Sequence, residues 1–235
     1  MPLIVFLKRL ILTRAIKTPV FLNMRKYSLI LILCLQTLFC LAQQKVMTEG
    51  SLTYSITVAT TNKEAEMADI FDGATLNVFI KGTVVSSELK SVLLNQTIVY
   101  DGKTEGAVII KEAGDQKFIT SLSPANWLHF NRKYEGVSYT FQDETKTILG
   151  YPCKKANGKL KDGTEFTVFY ATNLSPNVKG YDYQFKSLPG LPLEYEVQNG
   201  NMKVKYTASK ILFAPVPAFK FEIPQKGYRI LDYQQ

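Results

Sequence analysis

The chain has 235 residues, 46% of them hydrophobic and 20% charged, a globular composition that suits one domain with or without an extension. Its formal charge of +8 invites a nucleic-acid reading. Six of the 28 basic residues and none of the 20 acidic ones fall within residues 1–42, so the remainder carries only about +2, and nucleic acid is excluded as an electrostatic partner.

Met24-Arg25-Lys26 is a short basic region, Ser28 to Leu41 is an apolar run, and Cys40-Leu41-Ala42 is the small-residue end that signal peptidase accepts. This three-part order is that of a secretory signal peptide. The apolar run is shorter than the roughly 20 residues that a spanning helix needs. Residues 1–42 are therefore read as an N-terminal extension plus signal peptide, with the true start at Met24 and cleavage after Ala42. Residues 43–235 are read as a single β-rich domain without a transmembrane segment. Cys40 follows Phe39 rather than a small residue, so lipidation there is not expected. Cys34 and Cys40 leave with the signal, and Cys153 then stands alone. An internal disulfide is excluded, and burial as a small hydrophobe is the expectation for Cys153.

Along the mature chain, Glu49 to Thr60 alternates Leu52, Tyr54, Ile56 and Val58 with polar neighbours, the period of a half-buried strand. Asn62 to Gly73 predicts a short helix, capped by Asn62 and ended by Gly73. A meander of short antiparallel strands follows, turning at Asp101-Gly102 and around Ala113-Gly114-Asp115. Ser123-Pro124 opens SPANWLHFNRKYEGV, a short helix or an aromatic-rich loop. KLKDGTEFTVFYAT is a hairpin turning at Asp162-Gly163, apolar on both faces and so expected inside the sheet. A last hairpin pairs LPLEYEVQNG with NMKVKYTASKILF around Asn199-Gly200, and AFKFEIPQKGYRILDY adds a short extended piece. The reading is mainly β, with about ten strands and one or two short helices. A sheet of that many strands must curl, because a flat one leaves open edges. A strongly curved antiparallel sheet or open half-barrel is expected, with a helix over its open side.

Three residues are read as structural turns. Gly150-Tyr151-Pro152 turns the chain, with Pro152 at an edge or bulge where its missing N–H costs no ladder bond. Pro189-Gly190 in SLPGLPL has the order of a type II turn, which would place Gly190 at positive φ. Pro192 then keeps its neighbour extended.

Catalytic chemistry is sparse. His129 is the lone histidine, no His, Cys and carboxylate cluster has zinc spacing, and no Gly-rich phosphate loop or serine nucleophile elbow is present. Glu64, Glu66 and Asp69 on the expected helix, and Asp143 and Glu144 at a strand turn, read as solvated faces rather than a hydrolase pair. No catalytic residue, metal or cofactor is assigned. Trp127 and Phe130 are the aromatic pair singled out as a candidate ligand or interaction surface.

The run TKTILGYPCKKA, the strand FTVFYATNLSP, SLPGLPLEYE, the closing FEIPQKGY, and Lys81-Gly82 with Ser87-Glu88-Leu89 together resemble the exported domain-of-unknown-function proteins of Gram-negative bacteria. The chain is also similar to the GLPGLI family, but Ser187 stands for the first Gly of that motif and Pro192 for the final Ile. The resemblance implies export and a LolA/LolB-like fold, the open half-barrel of the outer-membrane lipoprotein carriers, in which a concave face holds acyl chains. The expected function is an exported, non-enzymatic protein of the cell envelope, in the periplasm, at the outer membrane or outside the cell. It would bind a lipid, a lipidated partner or another hydrophobic ligand. The alternatives are a structural or protein-interaction module of the envelope, and a hydrolase built on His129 or on paired carboxylates. An open apolar cavity favours the first, a filled core with an exposed apolar patch the second, and convergent titratable groups the third.

Overall fold

The computed structural model describes residues 44–60, 71, 73–199 and 202–234. The signal-peptide reading of residues 1–42, with Met24 and Ala42, lies outside the described residues, as does nearly all of the helix expected from Asn62.

Twelve strands form one curved sheet that does not close. Its first half is an unbroken meander of β2 (Glu49–Thr60), β3 (Thr75–Lys81), β4 (Val84–Lys90), β5 (Asn95–Asp101), β6 (Gly106–Ala113) and β7 (Gln116–Leu122). The only α-helix among the described residues, α1 (Pro124–Phe130), follows. The second half contains β8 (Ser138–Ile148), β9 (Tyr151–Lys159), β10 (Glu165–Ala171), β12 (Leu191–Asn199) and β13 (Met202–Leu212). Antiparallel pairing of β13 with β2 joins the halves. Between β10 and β12 the chain leaves the sheet to form β11 (Leu174–Pro176), which lies parallel to β1 (Lys45–Met47). At the far edge, β14 (Arg229–Ile230) runs parallel to β7. The described strands number fourteen rather than about ten. The surplus is mainly β1, β11 and β14, which are too short for alternation to mark them.

Local chemistry fixes the corners. Ser123 accepts a hydrogen bond from Asn126 N at 3.2 Å and Pro124 occupies the first turn, so SPANWLHF resolves as a helix rather than a loop. Leu149 and Gly150 both have positive φ, 51° and 81°, the pattern of a two-residue hairpin turn. The turn therefore lies before Tyr151 and Pro152, which already belong to β9. Pro152 pairs with Thr147 of β8, while the ladder to β10 stops one residue short, at Cys153–Ala171. The Pro152 carbonyl accepts from Thr172 N beyond that last pair. A strand residue points its N and O to the same edge, so the missing N–H faces the place where pairing has ended. Asp143 and Glu144 do not sit at a turn. They occupy a register shift inside β8, the edge strand, and Glu144 pairs with Lys155 at 2.7 Å. A bulge with charges blunts that edge.

Paired residues share a face, which sorts the side chains. Leu52, Tyr54 and Ile56 of β2, Val78 and Ile80 of β3, Val85 of β4 and Val168 of β10 are buried on the concave face. Two segments of the chain lie over it. One is α1. The other runs from β11 to β12 through a 3-10 turn at Tyr183–Phe185, and it seats Phe185 against Tyr195 at 4.7 Å and against Phe166 at 6.2 Å. Leu188, Leu191 and Leu193 are wholly buried beneath this second cover, each contributing about 1.5–3 kcal/mol of transfer free energy. The cover is the half of the lid that alternation could not announce.

The C-terminal segment straps the convex face. Lys220, in a 3-10 turn at Ala218–Phe221, donates to both carboxylate oxygens of the buried Glu88, at 3.0 and 3.2 Å, and lies 4.4 Å from the Phe79 ring centre. Tyr228 donates to the Glu112 carboxylate before the chain pairs as β14. Glu88 of the Ser-Glu-Leu motif and Tyr228 of FEIPQKGY are thus both anchoring points of this strap, through Lys220 and Glu112 respectively.

Candidate functional site

On the concave face the sheet and its covers leave an opening of about 380 Å³. Leu76, Leu89 and Ile98 come from β3, β4 and β5, and Tyr195, Val197, Val204 and Tyr206 from β12 and β13. The pairings Leu76–Leu89, Tyr195–Tyr206 and Val197–Val204 place each couple on one face. The 3-10 turn at Arg132–Tyr134 adds Lys133 and Tyr134, and the second cover adds Asp182 and Gln184. Apolar floor, tyrosine walls and one carboxylate therefore meet in a single concavity.

The tyrosines are tied in place. Tyr195 stacks on Tyr206 with ring centres 4.6 Å apart and 9° between planes, and Tyr54 meets Tyr195 edge-on at 5.9 Å. Tyr54 donates to the Pro192 carbonyl at 2.8 Å, and Tyr139 donates to the Gln184 carbonyl. Burial is the main reason that the Tyr206 phenol is pushed up to about 12; the neighbouring Tyr134 and the Asp182 carboxylate act in the same direction. Tyr134 and Tyr139 are raised by burial first and Asp182 second. These phenols stay neutral at any physiological pH and serve as hydrogen-bonding and stacking groups.

Asp182 is the unusual group. Burial raises its carboxyl to about 6, against the opposing pull of the Gln184 and Phe185 backbone N–H groups. No ion pair among the described residues includes it. In the unfolded chain it titrates near the ordinary value of 3.8. Its protonated form is thus favoured by folding. The associated stability is complete below about pH 4 and is lost as pH rises through about 6. Asp182→Asn is accordingly expected to be more stable than the wild type at pH 7.5 by about 1–2 kcal/mol, with the gap closing towards pH 4. Urea melts at the two pH values measure this, and a gap that does not change with pH would contradict the assignment.

The residues singled out from the sequence lie elsewhere. Trp127 is 2% exposed on α1, 5.5 Å from Tyr100 and stacked on Phe130 at 5.6 Å, and its Nε1 donates to the Gly180 carbonyl at 3.0 Å. Phe130 is 40% exposed and also meets Tyr233. Neither lines the opening. His129 lies between Arg132, 3.0 Å from its Nε2, and the Tyr233 hydroxyl, 3.0 Å from its Nδ1. Arginine only donates, so Nε2 accepts and Nδ1–H is the donor to Tyr233. The histidine ties the C-terminal strap to α1. Cys153 is wholly buried as expected, and burial pushes its thiol up to about 11.

Pro189 and Gly190 form a corner beside the site, but not the expected one. Gly190 is not at positive φ. A methyl group there would fall 2.0 Å from the Ala171 carbonyl oxygen of the neighbouring strand, so glycine is required by close backbone approach. Pro189 is exposed, and its carbonyl accepts from Gln44 Nε2 at 2.7 Å. The cue that could have pointed to the site is Asp182 between Tyr181 and Tyr183, a carboxylate flanked by aromatic residues just before a Pro-Gly corner.

Residues 131–214 match the family described as N-glycanase peptide, N-terminal domain. The matched stretch carries Tyr134, Asp182, Gln184, Tyr195 and Tyr206. No curated protein matches the chain. Among solved structures, PNGF-II is similar at 15% identity and TM-score 0.46 over 78% of this chain. The chain spans only 31% of the length of that protein. An uncharacterised conserved protein from Thermus thermophilus is similar at 9% identity and TM-score 0.46, over 78% of this chain and 90% of the other. A LolA superfamily protein from Nitrosomonas europaea is similar at 14% identity and TM-score 0.36, over 77% of this chain and 92% of the other. No helix among the described residues is long and apolar enough to cross a membrane.

Proposed function

We propose that this is an exported, non-enzymatic protein of the cell envelope whose concave face binds an apolar or amphipathic ligand, a lipid or a lipidated partner being the natural candidates. The observation that carries this reading is the opening of about 380 Å³ over Leu76, Leu89, Ile98, Val197 and Val204. Apolar side chains facing a concavity that α1 and the second cover leave unfilled gain free energy from any apolar occupant. The presence of a LolA superfamily protein among the structural neighbours agrees with the reading but does not carry it.

The make-up of the lining supports the proposed binding role without catalysis. Asp182 is the single carboxylate among the described lining residues, and His129 is engaged elsewhere. An interaction module without a small ligand is the second reading. Phe141, 54% exposed on the edge strand β8 and stacked beside Tyr139 at 6.4 Å, favours it. Native mass spectrometry of the protein purified from its own envelope separates the two. Copurified lipid mass is expected; a ligand-free protein carrying a protein partner would select the second reading instead.

A further inference from the structure

The opening contains a carboxylate, that of Asp182, which the Gln184 and Phe185 backbone N–H groups address but which no ion pair among the described residues neutralises. Lys133 is the one basic residue among the described lining residues. It is exposed, and its Nζ lies 4.6 Å from the Tyr134 ring centre. The walls facing Asp182 are phenol rings, whose π-faces attract cations and whose hydroxyl oxygens accept hydrogen bonds. The floor is aliphatic.

Asp182 is half-buried, and a partly desolvated carboxylate without a counter-charge is a cost that the fold carries unless something compensates it. Of the possible occupants, an anion would meet like charge at Asp182, and a neutral chain would leave the carboxylate uncompensated. A cation would gain the Coulomb attraction and the ring faces together. Deepening the reading above and resting on it, we infer that the site takes an amphipathic cation. Its primary or quaternary ammonium head lies against Asp182 and the half-buried Tyr206 ring, and its apolar part lies along Leu76, Leu89 and Ile98. The opening is at the small end of ligand pockets, which suits one short chain with its head group rather than a two-chain lipid.

Isothermal titration at pH 7.5 tests this with three probes of equal chain length, each below its micelle concentration: octyltrimethylammonium, octyl glucoside and octyl sulfate. The wild type and Asp182→Asn are compared, with Leu89→Trp as a variant that fills the opening. The ammonium probe is expected to bind the wild type about tenfold more tightly than the neutral probe and to lose that advantage in Asp182→Asn, while the neutral probe binds both equally. Leu89→Trp should abolish binding of both. Equal binding of cation and neutral probe, or a cation preference that survives Asp182→Asn, would overturn the cation assignment and leave the apolar site standing. Failure of all three probes to bind the wild type, or binding undiminished in Leu89→Trp, would overturn the site itself.

Discussion

Trp127→Ala is expected to lower the stability of the protein by about 4 kcal/mol, read as a shift in the urea midpoint without loss of the transition's steepness. The indole is 2% exposed and joins three parts of the chain: Tyr100 of β5 at 5.5 Å, Phe130 of its own helix at 5.6 Å, and Tyr183 of the second cover at 6.4 Å. Truncation removes those contacts and leaves a cavity that α1 cannot fill by itself. It also leaves the Gly180 carbonyl without its donor. Trp127→Phe separates the two effects. It keeps most of the ring contact and loses only the hydrogen bond, for an expected cost of about 1–2 kcal/mol. A wild-type midpoint in Trp127→Ala would mean that the helix is held by something other than this residue, and would return Trp127 to consideration as a ligand platform.

The second large effect is at Gly190. Gly190→Ala is expected to cost about 3 kcal/mol, through overlap of the new methyl group with the Ala171 carbonyl oxygen at 2.0 Å and with the Tyr170 ring at 2.9 Å. Relief requires β10 and β12 to separate at Ala171–Leu191, where the ladder between them ends. Gly163→Ala provides the contrast. Gly163 has φ +87° in the Asp162-Gly163 turn, and a methyl group added there would meet nothing within 4 Å, so only backbone strain is at stake and about 1 kcal/mol is expected. Equal losses in the two variants would remove the steric account of the corner.

The Gly190 result shows where sequence reasoning reached its limit. Pro-Gly order correctly marks a corner, but the order alone does not distinguish a glycine needed for its dihedral angle from one needed for its missing side chain. Only the approach of the neighbouring strand β10 does that. The long strands were legible because Leu52, Tyr54 and Ile56, or Phe166 and Val168, alternate against polar neighbours for several residues. The hairpin at Asp162-Gly163 was legible from its turn chemistry, and Cys153 from its isolation. The opening was not. Its floor is drawn from five strands of both halves, and Asp182 sits in a segment with no periodicity, where burial is imposed by packing from above rather than by any local pattern. The short strands β1, β11 and β14 escaped for the related reason that two or three residues cannot display a period.

The seam between β2 and β13 has a consequence for the order of assembly. Within each half, most neighbouring strands are close in the chain and can pair as short local hairpins. The seam pairs residues such as Ser55 and Thr207, 152 apart. Closing so long a loop forfeits chain entropy before any contact rewards it, so pairing across the seam is the slow, late event of folding. Val204 and Tyr206 lie on β13 and reach their places beside Leu76 only through that event. The binding opening is therefore the last part of the molecule to exist: each half can gather its own strands first, but neither half contains the site.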